Sequence, residues 1–266
     1  MFAMRASVDS PEQSAADPVL ILVHGATLNG RMWDPVRRHL RPNYRVVTPD
    51  LPGHGSRLGE RYTLESAVAA IAAAAQSVAP ASVVLVGDSL GAYSSMAAAA
   101  ALPPQQLKGL VLAGATFNFA GRSVASYVVK GWLFRTLAAM FGEQRVIEKL
   151  IPKAFGPKGV NLSADDARAI IDARMSVVAF GQAVQALRGV DHRAKLAAIE
   201  QPVLILNGDL DLVNVNEEAG FLAVAKHADS QRFAGCEHGI SLWKPEEFAR
   251  CVNQFAATVF QPAVHS

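Results

Sequence analysis

A chain of 266 residues with 51% hydrophobic side chains can bury a sizeable core, and α/β folds of this length are often single domains. Lys plus Arg number 25 against 23 Asp plus Glu, a formal net charge of +2 with no basic block or acidic tail, which argues against nucleic acid or an anionic membrane as partner. Residues Met1 to Ala16 hold no continuous apolar run and no later window reaches bilayer length, so the sequence predicts neither a cleaved signal peptide nor a membrane span, and a cytoplasmic protein.

In chain order, short apolar runs alternate with helical patterns, as expected for a parallel sheet covered on both faces. Val19 to Val23 reads as a buried strand ending in His24-Gly25, and Tyr44 to Thr48 as a second running into Pro49-Asp50-Leu51-Pro52-Gly53-His54-Gly55. An Ala-rich amphipathic helix is predicted over 63–78. Ser82 to Val86 is a third strand, and it leads directly into a slim helix from Ser89 to Ala101. Leu110 to Ala113, Pro202 to Leu206 and a weaker run from Ser230 to Phe233 complete the strands. Pro245 opens a closing helix over 246–259.

The rhythm changes between Ala115 and Glu200. That stretch holds helical patterns over 124–141, 143–151, 163–177 and 180–187, punctuated by Pro152, Gly156-Pro157, Gly159 and Gly181. It reads as a helical insertion, 115–200, between two strands of a core formed by 1–114 and 201–266. Cys236 and Cys251 match no disulfide framework or metal spacing and read as reduced thiols.

A serine hydroxyl is a weak nucleophile near neutral pH and needs both exposure and an adjacent base. Gly87-Asp88-Ser89-Leu90-Gly91 supplies the exposure: Ser89 is squeezed between strand and helix, with glycines two residues either side removing Cβ atoms that would clash. The oxyanion of a tetrahedral intermediate needs preorganised donors. The N–H of Leu90, at a helix start, is one candidate, and that of Ala26, after Gly25, is the other. His24 is expected to brace this loop.

The base must be one of seven histidines. His39, His192, His227 and His265 lie in polar helical or terminal surroundings and read as surface residues. His238, between the last strand and the final helix, is preferred to His54 because a loop from the last strand can reach over Ser89 at the carboxyl edge of the sheet, where ligands bind. The orienting acid must reach that edge too. The fourth strand ends without a carboxylate, whereas the fifth ends Gly208-Asp209-Leu210-Asp211. Asp209 sits tight against the strand end, where it can bond backbone N–H groups, and Asp211 lies far enough into the loop to reach the histidine.

Together these residues resemble the α/β-hydrolase fold superfamily in its small, cap-bearing members. The resemblance runs over His24-Gly25-Ala26, Asp50 to Gly55, the Ser89 pentapeptide, Gly208 to Asp211 and Glu237-His238-Gly239. It implies a mostly parallel, doubly wound sheet with a helical cap, and a serine esterase that needs no metal or organic cofactor. In relatives the acid lies three residues after the glycine, which is Asp211, and the order Ser, Asp, His is the family's. The short segment before Val19 implies reduced or missing leading antiparallel strands. Asp88 stands where many relatives have histidine. The glycine register centres Ser89, which disfavours the aspartate-nucleophile chemistry of dehalogenases and epoxide hydrolases.

The insertion carries Phe117, Phe119, Tyr127, Val128, Trp132, Leu133, Phe134, Leu137, Met140, Phe141, Met175 and Phe180. As a cap over Ser89 these favour a small or medium hydrophobic ester-like substrate. A lactone, a thioester or a carbon–carbon bond in a vinylogous diketone (whose carboxylate Arg122, Arg135 or Arg174 would hold) are the alternatives on the same chemistry, as is a receptor that binds without turnover. Oligomeric state is not readable from the sequence.

Overall fold

The computed structural model describes residues 17–154 and 162–261. The expectations for the N-terminal segment 1–16, for Gly156-Pro157 and Gly159, and for His265 lie outside them.

Among the described residues, six strands form one sheet: β1 (Val19–Val23), β2 (Arg45–Val47), β3 (Val83–Asp88), β4 (Leu107–Ala113), β5 (Val203–Gly208) and β6 (Ala228–Phe233). Their order is β2-β1-β3-β4-β5-β6, and every adjacent pair is parallel. After β1 the chain moves to one side for β2 and then returns to the other side for β3. The carboxyl ends of β1 and β3 therefore flank a topological switch point, where α/β sheets leave a crevice for ligands.

β1 is apolar at every position, and β3 from Val83 to Val86, because both faces of the sheet are covered. Val19, Ile21, Val23, Val83 and Leu85 enter one core cluster, whereas Leu20, Leu22, Val84 and Val86 enter the other. Two helices, α2 (Leu64–Ser77) and α3 (Leu90–Ala98), close the first face through Ala67, Ile71, Ala92 and Met96. Short α1 (Asp34–Arg37) follows β1 and contributes Val36 to the opposite face. The start expected for α2 is explained by its cap: the Thr63 hydroxyl accepts from the Ser66 N–H at 3.1 Å, and Ser66 Oγ accepts in return from the Thr63 N–H at 3.0 Å.

Among the described residues between β4 and β5 lie five helices: α4 (Ala125–Phe141), α5 (Glu143–Ala154), α6 (Ala164–Asp172), α7 (Val178–Leu187) and α8 (His192–Ala197). Pro152 does not end α5, which runs on to Ala154 at the loss of one N–H donor. After β5 come α9 (Leu212–Leu222) and, past β6, α10 (Ile240–Trp243) and α11 (Pro245–Val259), which packs Phe248, Val252 and Ala256 onto the second face.

Candidate active site

Ser89 follows β3 directly and stands at the N-terminus of α3 with φ 52° and ψ −114°, a backbone region that costs an L residue strain. The turn is tight enough that a Cβ at Gly91 would collide with the carbonyl of Val23, and one at Gly87 with the backbone of Ala92. Glycine at both places lets β3, α3 and β1 approach closely, which places the Ser89 side chain at the carboxyl edge of the sheet.

Three side chains from three loops meet there. Ser89 Oγ lies 2.8 Å from His238 Nε2, and His238 Nδ1 lies 2.7 Å from Asp211 Oδ2. With Nδ1–H donating to the carboxylate, Nε2 is left as an acceptor for the serine hydroxyl. Asp211 is almost fully covered, and its Oδ2 also accepts from Asn214 Nδ2 at 2.7 Å. Asn214 is fixed in turn from the loop after β4, since its Oδ1 accepts from the Thr116 N–H at 2.7 Å and its carbonyl from the Thr116 hydroxyl at 2.8 Å.

The electrostatics follow from these contacts. Burial works against ionisation of Asp211, but the hydrogen bonds from His238 and Asn214 and the field of His238 outweigh it and hold the carboxyl below its usual range. Around His238, packing opposes protonation, while the Asp211 hydrogen bond and the charges of Asp211 and Asp88 favour it more strongly, so its pKa is raised. The His238 side chain is 49% exposed, so the desolvation it feels is partial. A serine hydroxyl bonded to an imidazole of raised basicity has a ready acceptor for its proton.

The loop after β1 supplies backbone donors beside this group. The N–H of Gly25 meets Met32 Sδ, that of Thr27 is accepted by His54 Nε2 at 3.2 Å, and that of Leu28 by the Gly25 carbonyl. The Ala26 N–H has no partner among the described residues. That of Leu90, as the first residue of α3, has no acceptor within its helix. Ala26, Ser89, Leu90, Asp211 and His238 all line one cavity of about 330 Å³.

His24 and His54 hold the loop from beneath. His24 Nε2 accepts from the Leu51 N–H at 2.9 Å, and the two imidazoles meet edge to face at 4.9 Å. Both are buried, which lowers their pKa, His54 to about 3, and keeps them neutral. His54 is thus a loop brace away from Ser89, and Asp209 accepts from the Gly235 N–H at 2.7 Å at the strand end.

Several expectations need correction. His192 is not a surface residue but fully buried, stacked 4.4 Å from Tyr93 and 5.7 Å from Phe119, with neither ring nitrogen hydrogen-bonded. Of the insertion's large apolar residues, Phe117, Phe119, Tyr127 and Phe180 line the Ser89 cavity, whereas Trp132, Leu133, Met140 and Phe141 point outward and are exposed. None of Arg122, Arg135 and Arg174 lines it, and Arg122 is paired with Glu217 at 2.6 Å. The lining cation is Lys130, which the sequence reading missed because an exposed lysine on a helix carries no distinguishing pattern. Among the described residues, no group of three or more His, Cys, Asp or Glu is placed to hold a metal, and no helix is long and apolar enough to cross a membrane.

Residues 20–251 match the model of the alpha/beta hydrolase family. The chain belongs to that family. Among curated members, a pimeloyl-[acyl-carrier protein] methyl ester esterase of Xanthomonas oryzae is 30% identical over 91% of this chain and 96% of its own length. The biotin biosynthesis bifunctional protein BioHC of Cellvibrio japonicus is also 30% identical over 91% of this chain, which spans only 48% of that longer relative. A thermophilic esterase from Thermogutta terrifontis superposes with a TM-score of 0.71 at 23% identity, over 92% of this chain and 90% of its own, a likeness of fold. The doubly wound sheet of this chain is the α/β-hydrolase fold.

Proposed function

We propose that this alpha/beta hydrolase cleaves carboxylic esters through an acyl-enzyme on Ser89. The observation that carries the reading is the unbroken series from Ser89 Oγ through His238 to Asp211, at 2.8 and 2.7 Å. In the reaction, His238 Nε2 takes the hydroxyl proton as Oγ attacks the ester carbonyl, and Asp211 holds the imidazole in the productive tautomer. The N–H groups of Ala26 and Leu90 receive the oxyanion. Collapse expels the alcohol, which takes the proton from His238. Water then loses a proton to His238 and attacks the acyl carbon, releasing the acid and restoring the Ser89 hydroxyl.

Residues 115–200 act in this reading as a cap. The walls that α4 and α7 give the cavity are mostly apolar, with Tyr127, Phe180, Ala183, Val184 and Leu187, and suit a small to medium acyl arm. The Xanthomonas oryzae relative is named for a methyl ester, which favours a short alcohol and an oxygen ester over a thioester or lactone.

Activity toward p-nitrophenyl butyrate, with fluorophosphonate labelling of the serine, tests the reading. Ser89→Ala is expected to lose on the order of 10⁴-fold or more in kcat and all labelling. Undiminished turnover in that variant overturns the assignment, and a single acylation without steady-state turnover in the wild type would make the chain a receptor.

A further inference from the structure

The cavity at Ser89 is walled by aromatic and aliphatic side chains, yet one charged amine enters it. Lys130, on α4, lines the cavity with its Nζ 5.2 Å from the ring centroid of Phe180 and 5.5 Å from that of Phe134. The two rings meet at 76° and form a corner in which the ammonium sits. Lys130 is exposed, so this corner lies where the cavity meets solvent.

An exposed lysine is free to carry its amine outward into water. This one instead rests on two ring faces, one of which belongs to the cavity wall, and no carboxylate among the described residues pairs with it. Arg122 and Arg193 are held differently, both reaching the oxygens of the buried Glu217, at 2.6 and 3.0 Å. Aromatic faces attract a cation but do not neutralise it. The charge also opposes protonation of His238, so amine and imidazole share one electrostatic environment.

We propose that Lys130 is a specificity residue that binds a carboxylate on the arm of the substrate remote from the scissile carbonyl, so that the preferred esters are half-esters of dicarboxylic acids. The proposal rests on the reading of Ser89 as an ester-cleaving nucleophile. A carboxylate fits better than a phosphate, because a phosphate site gathers several charged or backbone donors and here Lys130 is the one permanent cation among the described lining residues. The apolar walls between Lys130 and Ser89 would cover the methylene chain joining the two ends.

The test separates binding from turnover. Ser89→Ala protein is titrated with monomethyl adipate, which carries the charge, and with dimethyl adipate, which does not. The half-ester is expected to bind at least tenfold more tightly, and the preference should vanish in Ser89→Ala/Lys130→Met and return with Lys130→Arg. Equal affinities, or a preference that survives Lys130→Met, overturn the proposal. In parallel, the ratio of kcat/KM for the two esters is measured with Ser89 intact, where Lys130→Met should lower it tenfold or more, chiefly through KM. Taking the ratio cancels any general loss from the changed field at His238. A binding preference with no turnover of either ester would sink the hydrolase reading while leaving the anion subsite in place.

Discussion

The hydroxyl of Ser241 donates to Asp88 Oδ2 at 2.5 Å, tying the residue before Ser89 to the helix that follows His238. Asp88 ends β3 and Ser241 lies in α10, three residues beyond the imidazole, so the bond fixes the distance between the Ser89 turn and the His238 loop. Both side chains are buried. Burial pushes the Asp88 carboxyl up, opposed by His238 and by the Ser241 hydrogen bond.

That carboxylate is one of the charges that favour protonated His238. Asp88→Asn keeps an acceptor for Ser241 but removes the charge, so the His238 pKa should fall. On the proposed mechanism, catalysis through the neutral imidazole is lost as pH drops through that pKa, and the acid limb of the kcat/KM profile should move to lower pH. Profiles of wild type and Asp88→Asn between pH 4 and 9 would show it, with the plateau expected to change by less than about tenfold. An unmoved limb would mean that Asp88 is protonated throughout and acts only through Ser241.

The uneven legibility of the sequence has physical causes. That Ser89, Asp211 and His238 meet was legible because a parallel sheet sends its strand ends to one edge, and the glycine spacing around Ser89 is imposed by backbone crowding. The helix Leu212–Leu222 went unseen because Leu-Val-Asn-Val-Asn has weak helix propensity, and only the packing of Phe221 and the ion pairs of Glu217 and Glu218 reveal its inward face. His192 stands between Asp191 and Arg193 and reads as solvated, but Tyr93 and Phe119, remote in sequence, close over it. Outward-facing Trp132 and Met140 have the same composition as a cavity wall, and only the rotation of α4 tells them apart.

The buried histidines predict acid lability. Burial is the main reason that the pKa falls to about 3 for His54 and about 4 for His192, from an ordinary value of 6.5. Above pH 6.5 both states are neutral and nothing is lost. Below it the unfolded chain takes up protons that the folded one refuses, so stability falls steadily until the folded pKa is reached. At pH 5 the cost is about 2 kcal/mol for each such group. Urea unfolding at pH 7 and 5 should register it. His192→Phe, which keeps an aromatic ring beside Tyr93 and Phe119 and removes two unbonded nitrogens, is expected to gain about 1–2 kcal/mol at pH 7 and to shed about 2 kcal/mol of the acid loss. A variant as acid-sensitive as the wild type would show that His192 is not the neutral group its surroundings imply.

The crossing of α4 over α7 sets the width of the cavity through two glycines. A methyl at Gly131 would come within 2.8 Å of the Gly181 Cα, closer than real Cβ atoms approach, and both contacting groups are backbone. A methyl at Gly181 would stand 3.6 Å from Gly131, an ordinary contact. Gly131→Ala must therefore push the helices apart, whereas Gly181→Ala need not. Since α4 carries Tyr127 and Lys130 and α7 carries Phe180, Val184 and Leu187, the shift opens the cavity between its walls. Gly131→Ala should cost about 1–3 kcal/mol of stability and raise the ratio of kcat/KM for p-nitrophenyl octanoate over acetate by several-fold. Gly181→Ala should change both far less, and equal effects from the two substitutions would show that helix propensity, not the crossing, governs them.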